Sequence, residues 1–316
     1  DLSAARGIVA GEAPDILFYP DIGMDPFTYF LAFARLAPVQ MTSWGHPDTS
    51  GIGNMDYFLS SQGMEPKDSE AHYSERLVKL KDLTTYYYRP EPPERAYSRA
   101  DFGLADDVHL YLFPQTLFKI HPDFDQVFGD LLERDPRGRL VLIDDPFGGH
   151  WRDLLMKRLR AAIPDVAGRI EFVPKAPLKD YFGLLTVADA VLDVLTFSGG
   201  NSSLEAFSLG VPVVTWPGRF AHGRITYACY RQMGIGDLIA ADAGEYVDLA
   251  LRLAGAGDGP GDGDGDGAFR QDMTARILAA VPKLFENAAM IGELEDFLHA
   301  AYECRRIGEN PLSWPE

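Results

Sequence analysis

Apolar residues fall along the chain in short blocks of the length a buried strand needs, separated by stretches with helical spacing. In the first part, strands are expected at 15–19 (DILFY), 39–44, 55–59 and 76–80. Between the first two, Asp25 followed by Pro26 opens a helix expected over 25–37, because proline suits the first helical turn. In the second part, strands are expected at 109–113, 140–144, 170–174, 190–195 and 211–216. Helices fall between them at 122–134, 151–163, 178–188 and 202–209. Such alternation implies parallel sheets joined by right-handed crossovers, an α/β fold. Two amphipathic helices, 268–286 and 289–305, are expected to finish the chain.

The proline-rich, charged stretch PEPPERAYSR at 90–99 reads as an interdomain linker. It divides the chain into a first Rossmann-like domain over 1–95 and a second over 96–288, with 289–316 as a helix that packs back on the first. The first domain is short for a doubly wound domain and lacks its first strands, and Asp1 is not an initiator methionine. The chain is therefore read as a fragment whose front lies upstream. The run GAGDGPGDGDGDG at 255–267 reads as a flexible surface loop; the apolar position that closes a calcium-roll repeat is missing.

Composition narrows the function. With 29 Lys and Arg against 47 Asp and Glu, the formal net charge of −18 argues against nucleic acid or an anionic membrane as partner. No apolar run approaches the ~18 residues of a membrane span, and the start is not a signal peptide. Cys229 and Cys304 read as reduced core thiols of a cytoplasmic protein. An anionic small molecule then needs a local basic pocket, which puts weight on well-placed lysines and arginines.

The stretch 192–218, LDVLTFSGGNSSLEAFSLGVPVVTWPG, is strand, glycine turn, helix and strand. Gly199 and Gly200 let a bulky anion approach the backbone, and the N–H groups at Asn201, Ser202 and Ser203 can hold a phosphate at the helix start. Alone, this pattern reads equally well as an ordinary helix cap. Glu205, one turn on, is placed to accept from ribose hydroxyls. Ligands bind beyond the carboxyl ends of parallel strands, where the loops 115–121, 175–177 and 197–203 fall. Gln115, Thr116 and Lys119 stand in the first and Lys175 in the second; Lys119 is the candidate cation for a departing diphosphate. Arg224 is a further cation for phosphate or acceptor, with a surface salt bridge as the alternative. His121, before Pro122, reads as a loop residue. His46 and Asp21, each just after a strand of the first domain, are the two candidate bases, with no strong base as the third option. No metal-ligand constellation, GxSxG or P-loop is present.

Several segments, in this order, carry a resemblance. They are Asp15-Ile16-Leu17 with Ala37-Pro38-Val39-Gln40; Trp44-Gly45-His46-Pro47 through Thr49-Ser50-Gly51 to Met55-Asp56-Tyr57; and Phe118-Lys119-Ile120-His121-Pro122. Lys175-Ala176-Pro177, Ala188-Asp189 to Leu192-Asp193, and Gly199 through Glu205 to Val211-Pro212-Val213-Val214-Thr215 with Pro217-Gly218 complete them. Together they resemble the catalytic region of the O-linked N-acetylglucosamine transferases, the SPINDLY-like group and their bacterial tetratricopeptide-repeat relatives. The resemblance implies a GT-B fold, two Rossmann-like domains facing a cleft. It implies no metal and no cofactor, with a UDP-sugar as donor and a protein as acceptor, in bacteria a surface or flagellar protein. It also implies an upstream tetratricopeptide-repeat region outside this chain. By the same resemblance Lys119 meets the donor diphosphate, Gly199 to Ser203 hold the phosphates, Glu205 the ribose, and the Ala176 backbone the base. Arg224 falls where the family has an arginine, and Gly45 and His46 in the loop lining the sugar pocket.

The chain departs from the animal enzymes in having Gly200-Asn201-Ser202 where they have His-Thr-Thr, and Asp15 where they have a histidine. Tyr19 to Asp25 also resembles the bacterial branch that puts glucose on asparagine. The expected activity is inverting transfer of GlcNAc or a related hexose to Ser or Thr. The alternatives are an asparagine-directed glucosyltransferase, a sugar-nucleotide epimerase and a non-catalytic nucleotide- or partner-binding module.

Overall fold

The computed structural model describes residues 1–146, 148–256, 267–309, 311, 313 and 314. Most of the glycine–aspartate run read as a loop, 257–266, lies outside the described residues. The chain forms two compact units, Asp1–Tyr87 with Arg219–His222 and Glu286–Glu316, and Tyr88–Gly218 with Gly223–Phe285.

The first unit begins with helix α1 (Leu2–Glu12), whose start is capped by the Asp1 carboxylate on the Ala4 N–H (2.7 Å). This helix is absent from the sequence expectation because Gly7 and Gly11 lower its propensity and no clean apolar stripe marks it. Strand β1 (Ile16–Tyr19), helix α2 (Pro26–Leu31), and strands β2 (Val39–Ser43), β3 (Tyr57–Ser61) and β4 (Arg76–Leu80) follow. Asp25 caps α2 as its sequence position implies, accepting from Phe27 and Thr28 N–H, but the helix stops at Leu31 instead of reaching 37. The four strands pair in parallel in chain order. Their side chains alternate between faces: Ile16 joins the cluster of Val39, Met41, Tyr57, Leu59, Val78 and Leu80, while Leu17 and Tyr19 join Ile22, Leu31 and Ile52.

The second unit carries β5 (His109–Phe113), α3 (Asp123–Arg134), β6 (Gly138–Ile143), α4 (His150–Ala162), β7 (Ile170–Val173), α5 (Leu178–Val187), β8 (Ala190–Leu192), α6 (Asn201–Ser208) and β9 (Val213–Val214). Helices α7 (Ile225–Met233), α8 (Ala243–Ala254) and α9 (Ala268–Ala280) complete it. Helix α8 had a readable signal: Asp242 accepts from the Glu245 N–H (2.9 Å) while Glu245 accepts from the Ala241 N–H (2.7 Å), a reciprocal cap. The last helix, α10 (Ala288–Arg306), belongs to the first unit, where Met290, Phe297 and Ala301 join the core of β2, β3 and β4.

The proline-rich stretch is not a free linker. The change of unit falls at Tyr87–Tyr88, ahead of the expected boundary at 95, and the stretch is strapped to the second unit. Arg89 donates twice to the Ser208 carbonyl (2.7 and 3.2 Å), and the Tyr97 hydroxyl donates to Asp180 (2.8 Å). The Tyr97 ring fills the space a Cβ on Gly183 would take, so that position has no room for a side chain. Arg99 donates to the Val108 carbonyl (2.6 Å) and the Asp189 carboxylate (2.6 Å); Asp189 also takes Arg270 and the Leu110 N–H. Composition suggested slack; the specific donors remove it.

Candidate active site

The five strands of the second unit run parallel in the order β7-β6-β5-β8-β9. Crossovers from β5 go one way, to β6 and β7, and then return to β8 on its other side. The chain therefore leaves β5 and β8, which are neighbours, in opposite directions. The carboxyl ends of that pair are the switch point where open α/β sheets leave a crevice for ligand. The loop after β5 holds Gln115, Thr116 and Lys119, and the loop after β8 holds 193–200.

The β8–α6 turn is built around one carboxylate. Asp193, 2% exposed, accepts from Ser198 Oγ (2.7 Å), the Gly199 N–H (2.7 Å) and Thr215 Oγ1 (2.8 Å). Around it, Thr226 Oγ1 lies 2.8 Å from Ser198 Oγ and 2.7 Å from Ser203 Oγ, and the Thr226 N–H donates to Ser198 Oγ (3.0 Å). Burial pushes the Asp193 carboxyl above its ordinary range, against the lowering by its donors. Asp193 stands in a resembling segment, but its sequence context points to no role. Its partners lie in the β8–α6 turn and just after β9, with Thr226 of α7 bonded to Ser198 behind them, which a linear motif does not show.

Lys119 ends a short turn (Leu117–Lys119) and its Nζ sits 4.0 Å from the centroid of the Phe197 ring, in the facing loop. Burial lowers its pKa from the ordinary lysine value, and the charge of Asp193 acts in the opposite sense. The turn is anchored from behind: Arg158 on α4 donates to the Ile120 carbonyl (2.8 Å) and grips both oxygens of Asp125, which is 5% exposed. His121 Nδ1 accepts from the Asp123 N–H (3.3 Å), beside the start of α3. Phe118 is 62% exposed, with its ring 5.8 Å from that of Trp151.

Helix α6 starts without a side-chain cap, since Gly200 occupies the N-cap. Its first-turn N–H groups are the donors a helix leaves open, reinforced by the dipole. Gln115, 7% exposed, donates to Ser202 Oγ (3.2 Å), so the structure brings it to this helix start. A Cβ on Gly199 would lie 2.5 Å from Ser203 Oγ, 2.6 Å from Ser202 Oγ and 3.0 Å from Gln115 Nε2. Gly199→Ala is thus expected to displace the turn and weaken nucleotide binding by about tenfold or more, one lost charge-assisted contact. Isothermal titration of the variant measures this; unchanged affinity would remove the turn from the site.

Glu205 is half-buried on α6, and burial raises its carboxyl pKa. It acts electrostatically on Tyr181 of α5, whose hydroxyl is buried and makes no hydrogen bond among the described residues. Tyr181 has no role in the expectations from sequence; its local signal is only an aromatic at the fourth position of α5, after the 175–177 loop. Lys175 is exposed and Ala176 half-exposed in that loop, beyond the edge strand β7, with no hydrogen bond to the β5–β8 pair among the described residues. Arg224 precedes α7; it donates to the Gly218 carbonyl (3.2 Å) and lies over the Tyr227 ring (4.5 Å).

Gly45, His46 and Asp21 belong to the first unit. They follow the neighbouring strands β1 and β2, and their loops interlock. The His46 ring occupies the space a side chain on Gly23 (φ +88°) would need, and a Cβ on Gly45 would run into the Pro20 carbonyl. His46 Nε2 is 3.6 Å from the Asp48 carboxylate. The Asp21 backbone carbonyl accepts from the Met24 and Asp25 N–H groups (3.0 and 3.3 Å), which holds the turn. Among the described residues no group of three or more His, Cys, Asp or Glu is placed to hold a metal ion. Nor is any described helix long and apolar enough to cross a membrane.

The sequence model of Glycosyl transferase family 41 matches residues 94–259, more than half of the chain. The chain belongs to that family. Among relatives, it is 29% identical over 224 residues to a protein of Petunia hybrida described as a probable UDP-N-acetylglucosamine–peptide N-acetylglucosaminyltransferase SPINDLY, covering 70% of this chain and 24% of that one. It is 26% identical over 258 residues to the UDP-glucose:protein N-beta-glucosyltransferase of Actinobacillus pleuropneumoniae, covering 80% of this chain and 40% of that one. The family-41 chain thus spans about a quarter to two fifths of the length of these curated relatives. Among solved structures, a mutant of the Thermobaculum terrenum O-GlcNAc transferase superposes with a TM-score of 0.77 at 28% identity, over 97% of this chain and 56% of that one. The fold of this family-41 chain is GT-B, as the resemblance implies, and its two parallel sheets agree with it.

Proposed function

We propose that this family-41 chain is the catalytic region of a glycosyltransferase that moves a sugar from UDP to a protein side chain. The observation that carries the reading is Lys119, half-buried over Phe197, beside the uncapped start of α6 at the β5–β8 switch point. In the proposed step an acceptor oxygen attacks the anomeric carbon from the face opposite the diphosphate. The new C–O bond forms as the bond to the β-phosphate oxygen breaks, inverting that centre, and the electron pair leaves on the diphosphate. Lys119 and the α6 N–H groups take up the charge that develops there. Glu205 and the Tyr181 hydroxyl, an acceptor and a donor, suit the ribose and base side of the donor. The acceptor proton goes to a base, for which His46 and Asp21 are the candidates. No metal step is invoked, so turnover is expected to persist in excess chelator.

The acceptor side chain divides two readings. A serine or threonine hydroxyl fits the O-linkage in the name of the Thermobaculum relative, while an asparagine amide fits the N-linkage in the name of the Actinobacillus relative. Calorimetric titration with UDP, CMP and GDP tests the donor; selective UDP binding is expected, and binding of none of the three would remove the transferase reading. Mass spectrometry of acceptor peptides offered with UDP-GlcNAc or UDP-glucose separates the hydroxyl from the amide acceptor. Consumption of the sugar nucleotide without any acceptor would point to an epimerase instead.

A further inference from the structure

A groove of about 510 Å³ runs along the outer border of the second unit, away from the β5–β8 pair. One wall is a single face of α4, with Arg152, Asp153, Met156, Lys157 and Arg160 at helical spacing. The floor is Ile170 and Phe172, alternate residues on one face of β7. Among the described residues strand β7 pairs only with β6, at the end of the strand order. The Val173 carbonyl accepts from the Asp144 N–H (2.8 Å), on the β6 side. Since backbone groups alternate sides along a strand, Phe172 turns its N–H and C=O toward the open edge.

The charge of this groove is out of keeping with the molecule. It gathers three cations and one carboxylate in a chain of net charge −18. Arg152 is held by Asp144 (2.6 Å) and lies 3.9 Å from Asp153, whereas Lys157 and Arg160 have no ion pair among the described residues. An open strand edge, an apolar floor and an overhanging basic wall select one kind of occupant. It must be extended to pair with β7, acidic to meet Lys157 and Arg160, and apolar at alternate positions to cover Ile170 and Phe172.

We propose that the α4–β7 groove docks an extended acidic segment of a partner polypeptide, which adds as a strand beside β7. This surface does not depend on the transferase reading. With only four residues in β7, the contact is short, and affinity in the micromolar range is expected, as for a small interface with few anchors.

The test is fluorescence anisotropy of a labelled heptapeptide alternating glutamate and valine, against the same peptide with lysine for glutamate. Saturable binding of the acidic peptide alone is expected, weakening with salt as screening sets in. The Lys157→Glu/Arg160→Glu double variant is expected to weaken it by at least about tenfold, the size of losing a charge-complementary pair. The variant's thermal midpoint, read in parallel, reports that the fold is intact. Amide hydrogen exchange on the wild-type chain adds a second readout, with slower exchange expected at Phe172 when peptide is bound. Absence of saturable binding, or equal binding by the double variant, would overturn the proposal. So would displacement of the peptide by inorganic phosphate with no protection at Phe172, which would mark a plain anion site.

Discussion

Replacing Lys119 by methionine is expected to lower kcat by about 100- to 1,000-fold while leaving the fold intact, the usual cost of removing one group that stabilises developing charge. Methionine keeps a long apolar chain over the Phe197 ring, 4.0 Å from the present ammonium, so packing is preserved and only the charge is lost. Because burial disfavours the cation, the thermal midpoint of the variant should stay at or above that of the wild type. The same displacement fixes a pH dependence. In the proposed role the ammonium would bind diphosphate only while protonated, and its pKa lies below that of an ordinary lysine. Affinity for UDP is therefore expected to fall on the alkaline side, at lower pH than the ~10.4 of a free lysine. Calorimetry across pH reads this directly. An alkaline decline of the same size in the methionine variant would assign it to another group, and normal turnover would end the role of Lys119.

The second large effect is expected at Asp193. Asp193→Ala leaves the Gly199 N–H and the Ser198 and Thr215 hydroxyls without their acceptor in a buried place. At about 1–3 kcal/mol for each buried group left unmet, the loss is expected to exceed about 3 kcal/mol. Asp193→Asn should cost far less, on the order of 1 kcal/mol. The amide oxygen can still take the Gly199 N–H, and the two hydroxyls can turn round and accept from the amide NH2. Denaturant unfolding of the two variants, compared at constant slope, measures the difference. Equal stability would mean that the network does not hold the turn.

These two residues also show where sequence reading stops. The strands of both sheets stood out because parallel strands are buried on two faces and read as continuous apolar runs. Gly199-Gly200 and Lys119 stood out because a glycine turn before a helix and a lysine between Phe118 and Ile120 are local signals. Asp193 gathers partners at 198, 199 and 215, with Thr226 bonded to Ser198 behind them, and no local window contains all four. Arg158 supports the Lys119 turn from 38 positions away. Short elements were misjudged for a related reason. Helix α2 ends at Leu31 while apolar residues continue to Ala37, so the pattern alone overran the helix.

The strapped segment over 88–103 changes how this protein should be cut. Judged by composition, PEPPERAYSR is where a protease would be expected to nick the chain and where a domain would be trimmed. Yet the Arg89 guanidinium is engaged by Ser208, and that of Arg99 by Val108 and Asp189. A truncation beginning at 96 would therefore strip the second unit of Arg89 and its two bonds to the last residue of α6, loosening the far end of the helix whose start would hold the phosphates.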